Sequence, residues 1–255
     1  AEAAASRRCD AFVTGAAPAA AAAAALAFLK RLRGVLKPAL AVPLRFGGRT
    51  CVVVDGGACL DCKPWHLLQF ALMGSLYAKR VLGVADPSVR LLASGVGATL
   101  GGELARETVP LLKYAGVRFE GAVDPAAVSR GVCDVVVADG LSGAVLVGAF
   151  SGLSSVEFQM LESDLAGSAA SRLARRLGAG VFARARERSL GPAAAGAPLL
   201  GVGGAVVVCR NPSDPSSVAE ALLRAKELAS SGLAGEIQTR LEDMKSGMEF
   251  ARTIE

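Results

Sequence analysis

Two short apolar runs, each closed by an acidic residue and glycine, constrain the fold of this chain most tightly. Val52-Val53-Val54-Asp55-Gly56-Gly57 and Val135-Val136-Val137-Ala138-Asp139-Gly140 are β-branched stretches that end in turn residues. Continuously apolar strands of this kind are buried on both faces, as in a parallel sheet covered by helices. Each run then sets a carboxylate, Asp55 or Asp139, at the carboxyl edge of a sheet, where α/β proteins bind their ligands.

The rest of the chain repeats the alternation. Asp10 to Thr14, Pro38 to Leu44, Val89 to Leu92, Val117 to Glu120 and Ala205 to Cys209 read as further strands. Helices are expected from Pro18, Pro64 and Gly102, from about Ser142 to Leu161, and over Pro215 to Ser230; proline in a first helical turn loses no hydrogen bond. Strands alternating with helices imply an α/β fold of three αβα layers around a mostly parallel sheet. The chain has 255 residues, 52% of them hydrophobic, which is ample for one large core. The expected domain spans residues 1–232, with a projecting helical hairpin at about 165–190 and a polar, peripheral tail over 233–255. No signal-peptide pattern follows Ala1, and no run is expected to span a membrane. The nearest candidate, Ala16 to Leu29, is mostly alanine and falls short of the roughly 18 apolar residues a span needs.

Charge is localised. The net charge is +5, and the stretch from Ala166 to Leu190 alone carries Arg172, Arg175, Arg176, Arg184, Arg186 and Arg188 against Glu187. Such a field steers an anionic partner: an acyl carrier protein, an anionic membrane surface or nucleic acid. Six cysteines lie mostly in or beside apolar runs and read as buried thiols of a reducing compartment, cytoplasm or the matrix of a plastid or mitochondrion. Cys59-Leu60-Asp61-Cys62 is a C-x-x-C, but zinc needs further ligands and the sole histidine is His66, read as a surface residue. No metal and no cofactor are therefore expected. A P-loop is missing from the sequence, and Gly95-Val96-Gly97 lacks the third glycine of a dinucleotide fingerprint.

Over Asp61-Cys62-Lys63-Pro64-Trp65-His66-Leu67-Leu68-Gln69-Phe70-Ala71-Leu72-Met73-Gly74-Ser75 the chain resembles the PlsX family. These phosphate acyltransferases convert acyl-acyl carrier protein and inorganic phosphate into acyl phosphate for phospholipid synthesis. Lys37-Pro38-Ala39-Leu40-Ala41-Val42, Val135 to Gly140 and Gly196 to Val202 match in order, and the correspondence runs from Cys9 to about Gly232. The resemblance implies a PlsX-like (isocitrate-dehydrogenase-like) fold and a homo-oligomer or a place in a larger complex. It implies phosphate- or acyl-binding positions at Asp55, Gly57, Asp61, Lys63, Gly95, Asp139, Gly140, Ser142, Gly143 and Gly204, although turn and helix-cap chemistry accounts for the polar ones more plainly.

The chain also departs from the family pattern. The family's first strand and its Met-Gly-Gly-Asp loop have no counterpart, which suggests an N-terminally short homologue. The family's Gly-Asn-Thr-Gly stands here as Ala16-Ala17-Pro18-Ala19, and its polar loop after the Val89 to Leu92 strand as Ala93 to Gly101. Gly-Ala-Asn-Val-Asp becomes Gly57-Ala58-Cys59-Leu60-Asp61, and the final His-Gly becomes Arg210-Asn211. Acyl and phosphoryl transfer rest on preorganised donors and charges. The expectation is therefore a non-catalytic binding or structural subunit of a larger, bacterial or organellar, assembly. The alternative is a phosphate acyltransferase, and a third possibility is an altered enzyme with Cys59 or Cys62 as nucleophile.

Overall fold

A computed structural model describes residues 1–46, 48–95, 101–166, 178–181, 184 and 196–254. The strands are β1 (Ala11–Thr14), β2 (Ala39–Phe46), β3 (Arg49–Val54), β4 (Ser88–Leu92), β5 (Arg118–Val123), β6 (Val135–Val137), β7 (Gly196–Leu200) and β8 (Ala205–Cys209). The helices are α1 (Glu2–Ala5), α2 (Pro18–Phe28), α3 (Pro64–Arg80), α4 (Glu103–Leu112), α5 (Pro125–Val128), α6 (Gly140–Ala166), α7 (Pro215–Ser230) and α8 (Leu233–Ile254). The strands form one sheet in the order β1-β8-β7-β2-β3-β6-β4-β5. Its β3-β6-β4-β5 half is parallel, as is the β1-β8 pair. β2 and β7 run antiparallel to their neighbours.

The antiparallel pairs depart from a strict strand–helix alternation. Only residues 47–48 separate β2 from β3, and 201–204 separate β7 from β8. A parallel crossover needs a dozen residues or more, so these connections can only close hairpins.

Alternate strand residues face two cores, which gives the three layers. Val52, Val54, Val89, Leu91, Val135 and Val137 pack on the α3, α4, α7 and α8 side. Cys51, Val53, Val136, Val206 and Val208 pack with Ala21, Ala25, Leu146 and Val147 of α2 and α6. α3 is the central helix, with twelve residues from His66 to Ala78 buried.

Two expectations need correction. The segment after Gly232 is no peripheral tail: Leu233, Ile237 and Leu241 are fully buried, because their i, i+4, i+8 spacing makes one apolar stripe that joins the α3 core. Helix α6 runs farther than Leu161, and its Gly140–Ser163 stretch is long and apolar enough to cross a membrane by length and composition alone. Here its first turns pack into the fold through Leu146 and Val147, while Leu153, Val156 and Met160 stay exposed. Of the expected hairpin, only 165–166 at the end of α6, 178–181 and Arg184 are described, the last exposed; Arg172, Arg175, Arg176, Arg186 and Arg188 lie outside the described residues.

Candidate active site

β3, β6 and β4 present their carboxyl ends along one edge of the sheet, and three adjoining features are built there. The first is a loop tied by Asp55. Its carboxylate is fully buried and accepts N–H bonds from Leu40 at 2.7 Å, Gly57 at 3.1 Å and Ala58 at 3.0 Å, and from Cys59. Burial pushes the Asp55 carboxyl up, against the four donors that pull it down. Oδ1 takes three of these bonds and Oδ2 one, so the carboxylate works as a structural tie for the loop. It joins the start of β2 to the end of β3 and folds the chain back through Gly57, whose φ of +118° suits glycine.

The second feature is the start of α6. Asp139 accepts the Leu141 and Ser142 N–H groups, each at 3.0 Å, and the Ser142 hydroxyl at 2.6 Å, so it caps the helix. Gly140 and Gly143 let that helix meet the Asp55 loop. A Cβ at Gly143 would lie 1.8 Å from the Asp55 carbonyl oxygen, and one at Gly140 would lie 2.3 Å from the Cys59 carbonyl oxygen. Both glycines are close-packing positions.

The third feature is the C-x-x-C turn with the first turn of α3. The Cys62 thiol donates to the Cys59 carbonyl at 3.2 Å and lies 3.5 Å from the Cys59 sulfur. His66 is buried, contrary to its reading as a surface residue, because its ring folds back so that Nδ1 accepts the Lys63 N–H at 3.0 Å. Burial lowers the His66 pKa, and the cations Lys37 and Lys63 lower it further against Asp61. The ring is therefore neutral at neutral pH. Burial pushes the Cys59 thiol up, with Cys62 and Lys37 opposing.

Beside these lies a cleft of about 750 Å³. Its walls are apolar: Leu67 from α3, Leu91 from β4, Leu104 from α4, Val145 and Leu146 from α6. Its polar groups are Asp139, Ser142 and Ser94. Thus Asp55, Gly57, Asp61, Lys63, Asp139, Gly140, Ser142 and Gly143 do converge on one region, and Gly95 follows the exposed Ser94 at the end of β4. Gly204 does not join them; it lines a separate cavity of about 280 Å³ with Asp10 and Leu32.

Comparison with known proteins fits this architecture. The family model described as a fatty acid synthesis protein matches residues 1–235. A phosphate acyltransferase of Elusimicrobium minutum is 36% identical over 242 residues, covering 95% of this chain and 71% of the relative. This chain belongs to the PlsX family. The phosphate acyltransferase of Pelobacter propionicus is likewise 36% identical, over 87% of the chain and 64% of the relative, so this PlsX homologue spans about two thirds of such relatives' length. Among solved structures, the EutD phosphotransacetylase from Staphylococcus aureus aligns with a TM-score of 0.54 at 15% identity, over 90% of this chain and 65% of that one. A phosphotransacetylase from Streptococcus pyogenes gives 0.57 at 15%, over 89% and 65%. At such identity these two show the shared fold.

Reading the sequence of this PlsX homologue missed Lys37 and the apolar walls of the cleft. Lys37 carries a signal of its own, since it opens the Lys37-Pro38 run that matches the family. The cleft walls carry none, because Leu67, Leu91 and Leu146 read as ordinary core residues until the helices are placed.

Proposed function

We propose that this chain carries a phosphate acyltransferase activity, moving an acyl group from a thioester carrier onto inorganic phosphate. The supporting observation is the apolar cleft at the carboxyl edge with Asp139 and Ser142 at its polar end. Its walls suit an acyl chain, and its volume falls within the range of small-molecule sites. Lys37 and Lys63, which both act on His66, place positive charge near the start of α3, where a phosphate would be held. In the reaction a phosphate oxygen attacks the thioester carbonyl and a C–O bond forms. The C–S bond then breaks, and the carrier thiolate leaves and takes up a proton. The cations offset charge gathering on the carbonyl oxygen.

The non-catalytic reading rests on loop replacements alone. Two of them, Ala16–Pro18 and Arg210–Asn211, follow β1 and β8, which run opposite to β3 and so end at the other edge of the sheet. There Arg210 donates to Ser151 of α6 at 3.1 Å. In this proposal the carrier is the anionic partner, drawn by the arginine-rich stretch from Ala166 to Leu190.

The test is an assay of purified, folded protein with acyl-acyl carrier protein and phosphate. Phosphate-dependent formation of acyl phosphate and free carrier thiol is the expected result. Absence of product with both substrates in excess would return the chain to the binding or structural reading.

A further inference from the structure

The C-x-x-C turn and the first turn of α3 bring three soft or borderline ligands together. Cys59 Sγ, Cys62 Sγ and a ring nitrogen of His66 all lie within 4.8 Å of one another, and the two sulfurs are 3.5 Å apart. Two zinc–sulfur bonds of about 2.3 Å at a tetrahedral angle hold their sulfurs about 3.8 Å apart. The pair therefore stands close to the separation such an ion demands.

The backbone fixes all three groups in advance. Asp55 accepts the Gly57, Ala58 and Cys59 N–H groups and so holds the residue that carries the first sulfur. The Cys59 carbonyl in turn accepts from Cys62 and from the Gly140 N–H. The Lys63 N–H fixes the His66 ring.

We propose that Cys59, Cys62 and His66 form a binding site for one thiophilic divalent cation such as Zn²⁺, with the fourth coordination position left to a solvent or substrate oxygen. Two thiolates neutralise the charge of the ion, which suits a partly buried place. On binding, two S–H bonds break, two metal–sulfur bonds form and two protons pass to solvent. Ligation through His66 Nδ1 exchanges the Lys63 N–H bond for a metal–nitrogen bond. Paired thiolates select zinc-like ions over the magnesium and calcium that carboxylates and phosphates prefer. The site stands whether or not the chain makes acyl phosphate.

The test is a Co²⁺ titration of the full chain, kept reduced with a phosphine, followed by optical spectroscopy. One equivalent should bind, with a thiolate-to-cobalt charge-transfer band in the near ultraviolet and the strong visible bands of four-coordinate cobalt. Zn²⁺ should then bleach both. Cys59→Ser and Cys62→Ser should weaken Co²⁺ binding by more than the roughly 10–100-fold that loss of an outer partner costs, while Cys9→Ser, at an exposed thiol, leaves it unchanged. A wild-type protein that shows no charge-transfer band at saturating Co²⁺ overturns the site without recourse to any variant. So does a folded Cys59→Ser protein that keeps the band at full intensity and with unchanged Co²⁺ affinity.

Discussion

Gly143 and Tyr77 mark opposite ways in which one atom decides stability. A methyl group at position 143 has nowhere to go, since the carbonyl oxygen 1.8 Å from its Cβ belongs to Asp55 in the tied loop. Gly143→Ala should therefore unfold the protein or cost it at least about 3 kcal/mol, read from chemical denaturation. Tyr77 is buried, and its hydroxyl finds no partner among the described residues; burial pushes the phenol up to about 12. A buried hydroxyl without a partner is a net cost. Tyr77→Phe should leave the protein as stable or more stable by about 1 kcal/mol, and a fall in Tm would contradict that. Of these two residues the sequence shows neither role: the family resemblance offers Gly143 as a binding position, and Tyr77 reads as part of an apolar helix face. The carboxylates Asp55 and Asp139 were legible as edge residues and the cap as local helix chemistry, but the Asp55 tie depends on the Leu40 N–H, which only the fold brings near.

Among the elements, α3, α7 and the strands of the parallel half were legible because periodicity and proline starts repeat in the sequence. Helix α8 was not, since its polar residues outnumber the stripe of Leu233, Ile237 and Leu241 that fixes it to α3. Leu241→Ala should cost about 3 kcal/mol, lowering Tm by roughly 6–12 °C for a domain this size; a surface-like loss under 0.5 kcal/mol would place the helix outside the core. The cleft between α4 and α6 was illegible for a different reason. It is a gap between elements, and no apolar residue on its wall departs from ordinary core chemistry. Filling it with Leu146→Trp should lower kcat/KM for long acyl donors at least about tenfold, equivalent to about 1.4 kcal/mol, with the phosphate KM little changed. Equal loss for short and long donors would show that the chain does not lie there.

At the scale of the molecule, the net charge of +5 rests on the stretch from Ala166 to Leu190. If the carrier meets that stretch, reversing Arg172, Arg175 and Arg176 to glutamate should raise the KM for the carrier substrate without changing turnover of a small, carrier-free thioester. The effect should shrink as salt rises, because exposed charges are screened over about 8–10 Å near physiological ionic strength. A KM that ignores both the reversal and the salt would detach the basic stretch from the reaction.

The opposed strand directions carry a consequence for how this chain tolerates sequence drift. Because β1 and β8 point away from the edge that β3, β4 and β6 share, the molecule has two loop territories separated by the length of the strands. The departures at Ala16–Pro18 and Arg210–Asn211 fall in one; those at residues 57–61 and 93–94 share the other with the cleft, the Asp55 tie and the thiol pair. A deep mutational scan scored separately for folding and for acyl phosphate output should divide along that boundary, with the two territories failing independently.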